Sequence, residues 1–561
     1  MPGKTGRFAI IEQLLADGIH YMFGNPGTVE QGFLDALEAY PDFHYILTMQ
    51  ESIAVGMADG YARATQKPTI VQLHSGVGLG NGVGMMYQAK RGHAPLVVIA
   101  GESGIRYDAM DAQMAADLVA IAEPVTKWAT RVVDPTSLLR VLRRAIKIAA
   151  TPPMGPVFVC LPADILDAEI TEPIVPTSFP STRVVAEDGL VKQAADMLVG
   201  ASNPIIIMGD GIAFSGAQSE LAAVAETLGA PVWGANSSEV NIAADHPLYA
   251  GQLGHMFGAS STKITRQADA VLICGTYVFP EVFPELHTVF APGAKIIHID
   301  LNAYEIAKNY PVDLGLVSDP KLTLGKMAGL LQSAMSAGQK DAARARVERA
   351  GQEQRSRVAK QLEADRNNRD AYPLRASRFM EELAKHVPQD TIVFDEALTV
   401  SPDVTRYLPP VLPNHFFQTR GGSLGVGIPG ALGIKLAQPE KTVIGFTGDG
   451  GSMYTIQALW TAAHHNIGAK FVICNNQSYM LLKLNILQYW RDQIGAEVHE
   501  FPHSFELNNP VVDFATLARS MGVPAVCVDR PEQVEAAIKQ MMEHDGPFLI
   551  DMVISNQVPG M

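Results

Sequence analysis

Cysteine is scarce in this chain. Its 561 residues include four, Cys160, Cys274, Cys474 and Cys527, with no CxxC pair, and each falls inside an apolar, strand-like run. That pattern excludes a disulfide framework and a cysteine-built zinc site, and reads as small core residues in a reducing compartment. Charge is sparse too. Charged residues make up 18% of the chain, the net charge is −15 and no long basic run occurs. This argues against nucleic acid or an anionic membrane surface as partner. No apolar run approaches the roughly 20 residues that a bilayer span needs; APLVVIAG is among the longest. The opening stretch, MPGKTGRFAIIEQLLADG, passes directly into an amphipathic helical pattern without the apolar core of a secretory signal. A soluble, cytoplasmic, globular protein is expected.

A chain of this length has material for about three or four domains with buried cores. Two segments read as linkers. Residues 162–184 carry four prolines and little periodicity, and residues 338–372 are polar and dense in charge, more a solvated helix and connector than core. They divide the chain into 1–180, 185–340 and 370–561. Each part alternates strand-like and helix-like stretches, which predicts an α/β protein of three domains, each with a mostly parallel sheet flanked by helices. In the middle part the glycines at 209, 211 and 216 do not make GxGxxG, and read as a turn before a helix.

The chemistry starts at GDGGSMYTIQALWTAAHHNIGAKFVICNN, residues 448–476. Apolar runs at 443–447 and 471–474 read as buried strands. Between them Met453, Ile456, Trp460 and Ala463 recur at helical spacing, predicting a strand–loop–helix–strand unit closed by a right-handed parallel crossover. Ligands of such sheets bind beyond the carboxyl ends of the strands, where both Asp449 and Asn476 would lie. The glycines let backbone N–H groups approach an anion at the helix N-terminus. Two neighbouring oxygen ligands suit Mg²⁺, which shares phosphate oxygens. The unit reads as a site for a metal-bound diphosphate. Residues 71–101, VQLHSGVGLGNGVGMMYQAKRGHAPLVVIAG, again predict strand, glycine-rich loop, helix and strand, as if two related domains faced one ligand.

With GDG and NN at this spacing, the chain resembles the thiamine diphosphate-dependent 2-oxo acid decarboxylases and carboligases over essentially its full length. FGNPGT (23–28), QESIAVGMADGYAR (50–63), LHSGVGLGN (73–81) and IQALWTAAHHNI (456–467) look most like the benzoylformate decarboxylase branch. The acetolactate synthase-like branch shares the GNPGT-type, ADGYAR and GDG…NN motifs. The resemblance implies a pyrimidine-binding domain at 1–180, a central domain at 185–340 and a diphosphate-binding domain at 370–561. It also implies homodimers or homotetramers with active sites between subunits, thiamine diphosphate and Mg²⁺ as cofactors, and a small 2-oxo acid or aldehyde as substrate.

Residue by residue, the resemblance assigns the metal to Asp449, Asn476 and the backbone carbonyl of Ser478. Gly450, Gly451 and Ser452 would line the diphosphate, with Thr399 and Tyr479 as further cofactor contacts. Glu51 stands where the family has a glutamate bound to the pyrimidine ring. Its carboxyl group favours the imino tautomer through which the cofactor's own amino group takes the C2 proton. GGSLGVGIPG (421–430) supplies Leu424 as the apolar wedge that bends the cofactor, and the Gly422 carbonyl as acceptor for its amino group. His74 occupies the place of an active-site histidine, suited to moving protons near neutral pH. Thr28 stands where the branch has a serine that orients the substrate carboxylate. Gln113 is a further polar candidate.

The chain also departs from its relatives. The branch's second histidine corresponds here to Val282. Pyruvate-type decarboxylases carry adjacent histidines in the first domain and an acid after NN; here the matching stretches are IRYDAMDAQM and YMLLKL, with Leu481 and Leu482 in place of the acid. His464 and His465, at the end of the GDG helix, read as structural. The expected function is decarboxylation of a 2-oxo acid with an apolar or aromatic side chain. The alternatives are a carboligase or lyase making or breaking acyloins, and a cofactor-binding protein without catalysis.

Overall fold

The computed structural model describes residues 4–235, 237–279 and 281–558. The chain forms two compact units. One takes in the chain up to residue 180 together with 370–402 and the stretch from 418 onward; the other holds 181–369 and 403–417. The first unit contains two parallel sheets and the second contains one.

In the first sheet the spatial order is His44–Leu47, Tyr21–Gly24, Thr69–His74, Leu96–Glu102, Val157–Pro162 and Ala129–Arg131, all parallel. Ranked along the chain this is 2-1-3-4-6-5. The sheet nearest the C-terminus has Phe416–Gln418 at its edge, then Ile392–Glu396, Val443–Gly448, Lys470–Asn475, Phe548–Val553 and Ala525–Val528, which is again 2-1-3-4-6-5. The echo heard in the sequence is therefore one of topology. The middle sheet differs, running 3-2-1-4-5-6 through Tyr249–Gln252, Val232–Gly234, Pro204–Met208, Ala270–Cys274, Lys295–Asp300 and Leu314–Val317. Its strands are Val/Ile/Leu-rich because both faces are covered by helices.

Within the first unit the two sheets are joined through helices Glu51–Thr65 and Gly427–Ala437, which meet backbone to backbone. A Cβ at Gly60 would fall on the Gly430 carbonyl, and one at Gly433 on that of Met57. Only glycine permits so close an approach.

The charge-dense segment after residue 337 is a single helix, Ala337–Asn367, with Ala343 and Gly351 its only buried residues. Cys160, Cys274 and Cys474 are buried, but Cys527 is exposed, so the expectation of four core thiols fails at a strand whose outer face meets solvent. No helix among the described residues is long and apolar enough to cross a membrane.

Candidate active site

Two groups of side chains gather at the carboxyl ends of the strands. The first lies around His74. This residue ends the strand Thr69–His74, and the helix Ser75–Arg91 follows at once. The expected glycine-rich loop is in fact the opening of that helix, reached through a positive φ of 41° at Ser75. The glycines serve proximity. A Cβ at Gly78 would lie 3.0 Å from Glu51 Oε1 and 3.4 Å from the His74 Cβ.

Glu51 is the first residue of the helix Glu51–Thr65 and is buried. Its Oε2 accepts a hydrogen bond from Asn81 Nδ2 at 3.0 Å, while Ser52 Oγ donates to the Asn81 carbonyl at 2.6 Å. The His74 ring is held from the other side. Its Nδ1 lies 2.8 Å from Glu30 Oε2, and Glu30 Oε1 accepts the Gly101 N–H at 2.8 Å. Burial raises the Glu30 carboxyl above its ordinary range, against the pull of His74. A side chain at Gly27 would collide with the imidazole, so the GNPGT loop seats directly on it and brings the exposed Thr28 alongside. Gln113 is exposed, in a segment tied to this group by Ser75 Oγ donating to Met114 Sδ at 3.7 Å.

The second group surrounds Asp449. The strand Val443–Gly448 delivers this residue to the start of the short helix Asp449–Ser452, buried. The GDG helix is not continuous: a turn follows Ser452, and a second helix runs Ala458–His464. Met453, expected on the apolar face, is 46% exposed. Across the break the backbone is held by turn bonds, the Tyr454 N–H to the Gly451 carbonyl and the Thr455 N–H to the Ser452 carbonyl, both at 3.2 Å, while the Thr455 hydroxyl donates to the Gly425 carbonyl at 2.5 Å.

Asp449 Oδ1 accepts the Gly450 N–H at 2.8 Å, and the backbone N–H groups of Gln477 and Ser478 also point at this carboxylate. The crossover thus brings the GDG aspartate to the NN loop. Asn476 Oδ1 accepts the Ser478 N–H at 3.0 Å. Burial raises the Asp449 carboxyl to about 6. Among the described residues its Oδ2 is buried without a hydrogen-bond partner, as is Ser478 Oγ. An unpaired buried carboxylate oxygen is costly, and a divalent cation is the partner that this donor set suits. Tyr479 packs over Gly450, where a Cβ would come within 2.5 Å of its ring.

Thr399 sits half-buried in the turn Leu398–Val400, after the strand Ile392–Glu396. Gly422 is exposed with φ 73°, and Leu424 is half-buried. Among the described residues, no hydrogen bond or ion pair joins the Glu51–His74 group to the Asp449–Asn476 group.

His464 stacks on Trp460 with ring centroids 4.5 Å apart, and His465 Nε2 accepts the Leu47 N–H at 2.9 Å. Both are occupied in packing. Leu482 is 42% exposed. Val282, in the other unit, is half-exposed and donates its N–H to the His255 carbonyl at 3.1 Å. Sequence reasoning passed over Glu30, Asn81 and Glu396. Glu30 was open to discovery as an acid two residues beyond GNPGT.

Residues 4–121 match the N-terminal TPP binding domain of thiamine pyrophosphate (diphosphate) enzymes, 191–327 their central domain and 399–552 their C-terminal TPP binding domain. Benzoylformate decarboxylase of Pseudomonas aeruginosa is 30% identical over 566 residues, covering 98% of both chains. A probable acetolactate synthase large subunit of Methanocaldococcus jannaschii is also 30% identical, over 98% of this chain and 92% of that one. Among solved structures, benzoylformate decarboxylase from Polynucleobacter necessarius superimposes with a TM-score of 0.85 at 25% identity, covering all of both chains. The thiamine diphosphate-dependent 4-hydroxybenzoylformate decarboxylase of Rhodococcus jostii gives 0.84 at 26%, over 99% of this chain and 100% of that one. With all three domains matched in order and whole-length relatives at this identity, the chain belongs to the thiamine pyrophosphate enzymes.

Proposed function

We propose that this enzyme decarboxylates a 2-oxo acid with an apolar or aromatic side chain, using thiamine diphosphate and Mg²⁺. The observation that carries the reading is His74, fixed by Glu30 at the end of its strand, in a chain similar over its whole length to benzoylformate decarboxylase. The cofactor, when bound, supplies a carbon nucleophile that also accepts the electrons left by departing CO₂. Asp449, Asn476 and the Ser478 carbonyl would hold the metal. Gly450, Gly451, Ser452, Thr399 and Tyr479 would line the diphosphate end, with the small helix Asp449–Ser452 giving close backbone approach. Glu51 would hold a proton at the pyrimidine ring, and Leu424 with the Gly422 carbonyl would fix the bend. Thr28 would orient the substrate carboxylate, and His74, whose Nδ1 is occupied by Glu30, would hold or move a proton at Nε2. Gln113 would add a polar contact to the substrate.

Carboligation is the second reading, favoured by the acetolactate synthase relatives and by Val282 where the benzoylformate branch has a histidine. The family resemblance further suggests a homodimer or homotetramer with active sites between subunits. Incubating the loaded enzyme with a panel of 2-oxo acids and acyloins, and tracking CO₂, aldehyde and coupled product separately, tests both readings. Absence of CO₂ release from every aromatic or branched 2-oxo acid would overturn the first; release of aldehyde alone at saturating acceptor would overturn the second.

A further inference from the structure

Glu396 ends the strand Ile392–Glu396 and is 1% exposed. Its Oε1 accepts the Gly425 N–H at 2.5 Å, and its Oε2 accepts the Gly427 N–H at 2.5 Å. Thr447 Oγ1, at the end of the neighbouring strand, lies 3.5 Å from Oε2. A Cβ at Gly451 would come within 2.9 Å of Oε1, and one at Gly427 within 2.8 Å of Oε2. One carboxylate therefore fills the junction of the loop carrying Leu424, the strand leading to Asp449 and the glycines after it. Gly425 is held at both polar groups: Glu396 takes its N–H, and Thr455 Oγ1 donates to its carbonyl at 2.5 Å. Its φ of 90° is open to glycine and strained for other residues.

A buried carboxylate without a cation is expensive; among the described residues Glu396 makes no ion pair. Desolvation raises it to about 7, against the pull of the two backbone N–H groups, and the charge that acts on it, the carboxylate of Asp395, adds to the rise. A neutral apolar residue would fill the space at lower cost, yet could not accept both N–H groups at once. What the acid secures is the shape of the turn that follows Leu424.

We propose that Glu396 is a positioning residue for the reactive end of the cofactor. Its carboxylate fixes the turn at Gly425–Gly427, and that turn sets the Leu424 side chain and the Gly422 carbonyl against the bound thiamine diphosphate. The proposal rests on the reading that Leu424 and Gly422 meet the cofactor.

Two measurements on the loaded protein separate positioning from mere stability: the dissociation constant of thiamine diphosphate with Mg²⁺, and hydrogen–deuterium exchange at C2 of the bound cofactor. Glu396→Gln puts an amide NH₂ against one backbone N–H. Exchange should slow by about tenfold or more, the equivalent of one lost hydrogen bond, while affinity changes much less because the diphosphate is held elsewhere. Glu396→Asp keeps both oxygens and should recover part of the rate. Thr455→Val, which removes the other tether of Gly425, should act in the same direction and serves if Glu396→Gln does not fold. Val443→Ala, in the adjacent strand, is the control for lost stability alone. Exchange in both Glu396→Gln and Thr455→Val within about twofold of the parent, the scatter between independent sites, would overturn the proposal. So would exchange and affinity falling together as in Val443→Ala. Leu424→Ala tells this failure from that of the underlying reading: if it exchanges normally, Leu424 does not act on the cofactor and the proposal falls with that reading.

Discussion

The Nδ1 of His74 lies 2.8 Å from Glu30 Oε2, and the same carboxylate accepts the Gly101 N–H. Glu30 is buried, and His74 is 18% exposed at its side chain, so the ring is anchored at one nitrogen; on the proposed reading the other would meet the substrate. His74→Ala should lower turnover by about 10²–10⁴-fold, the span for a positioned acid or base, with C2 exchange unchanged. Glu30→Gln should lose part of that factor without loss of cofactor. Full activity in His74→Ala would make the residue structural.

The Glu51 carboxylate accepts a hydrogen bond from the Asn81 amide and has a glycine-bearing helix pressed against it. Glu51→Gln should keep the cofactor bound and slow C2 exchange by orders of magnitude, because an amide cannot hold the proton at the pyrimidine ring as the carboxyl does. Gly78→Ala is a milder form of the same test. Its Cβ would stand 3.0 Å from Oε1, displacing the carboxylate by a few tenths of an ångström, so exchange should slow while melting temperature stays close to the parent. Unchanged exchange in Glu51→Gln would show that another group activates the cofactor.

Asp449 gives the pH dependence. Burial raises its carboxyl from 3.8 to about 6, and on the proposed reading a proton and Mg²⁺ would compete for its oxygens. Above about pH 6 the site is deprotonated and Mg²⁺ affinity should be level. Below it, affinity should fall by about tenfold per pH unit as the proton wins. Chelation, or Asp449→Ala, should release the cofactor. Isothermal titration across pH 5 to 8 measures the slope, and undiminished thiamine diphosphate affinity in Asp449→Ala would overturn the metal assignment.

The meeting of Asp449 with the Asn476 loop was legible in the sequence because it is written locally: a strand end, an aspartate between glycines, a second strand end and two asparagines. Periodicity failed on the helix between them, where Thr455 bonds to Gly425, some 30 positions away in the chain. It failed again at Gly76–Gly84, whose glycines suggest a loop when read alone. They lie instead in the helix Ser75–Arg91, where a Cβ at Gly78 would crowd Glu51 and one at Gly82 would crowd Leu73. Glu396 was missed because its partners, Gly425 and Gly427, are backbone groups brought near by tertiary structure. Nothing in the neighbouring sequence announces a buried acid whose ligands are amides.

The last prediction concerns the helix pair that joins the two sheets of the first unit. At Gly60 and Gly433 the added atom would meet main-chain carbonyls, of Gly430 and Met57, and not the yielding end of a side chain. Backbone in the middle of two packed helices cannot step aside without moving the helix, so relief requires the pair to separate. Gly60→Ala and Gly433→Ala should each cost about 3 kcal/mol, at the upper end for overpacking, despite the better helix propensity of alanine, worth about 1 kcal/mol. The same substitution at Gly80, where nothing lies within 4 Å, should be neutral or stabilising in the isolated subunit. Because Glu51 begins one of these helices, Gly60→Ala should also weaken C2 activation in proportion to the shift. Urea denaturation of the three variants decides the matter, and equal stability of Gly60→Ala and Gly80→Ala would show that the helices are not in contact as described.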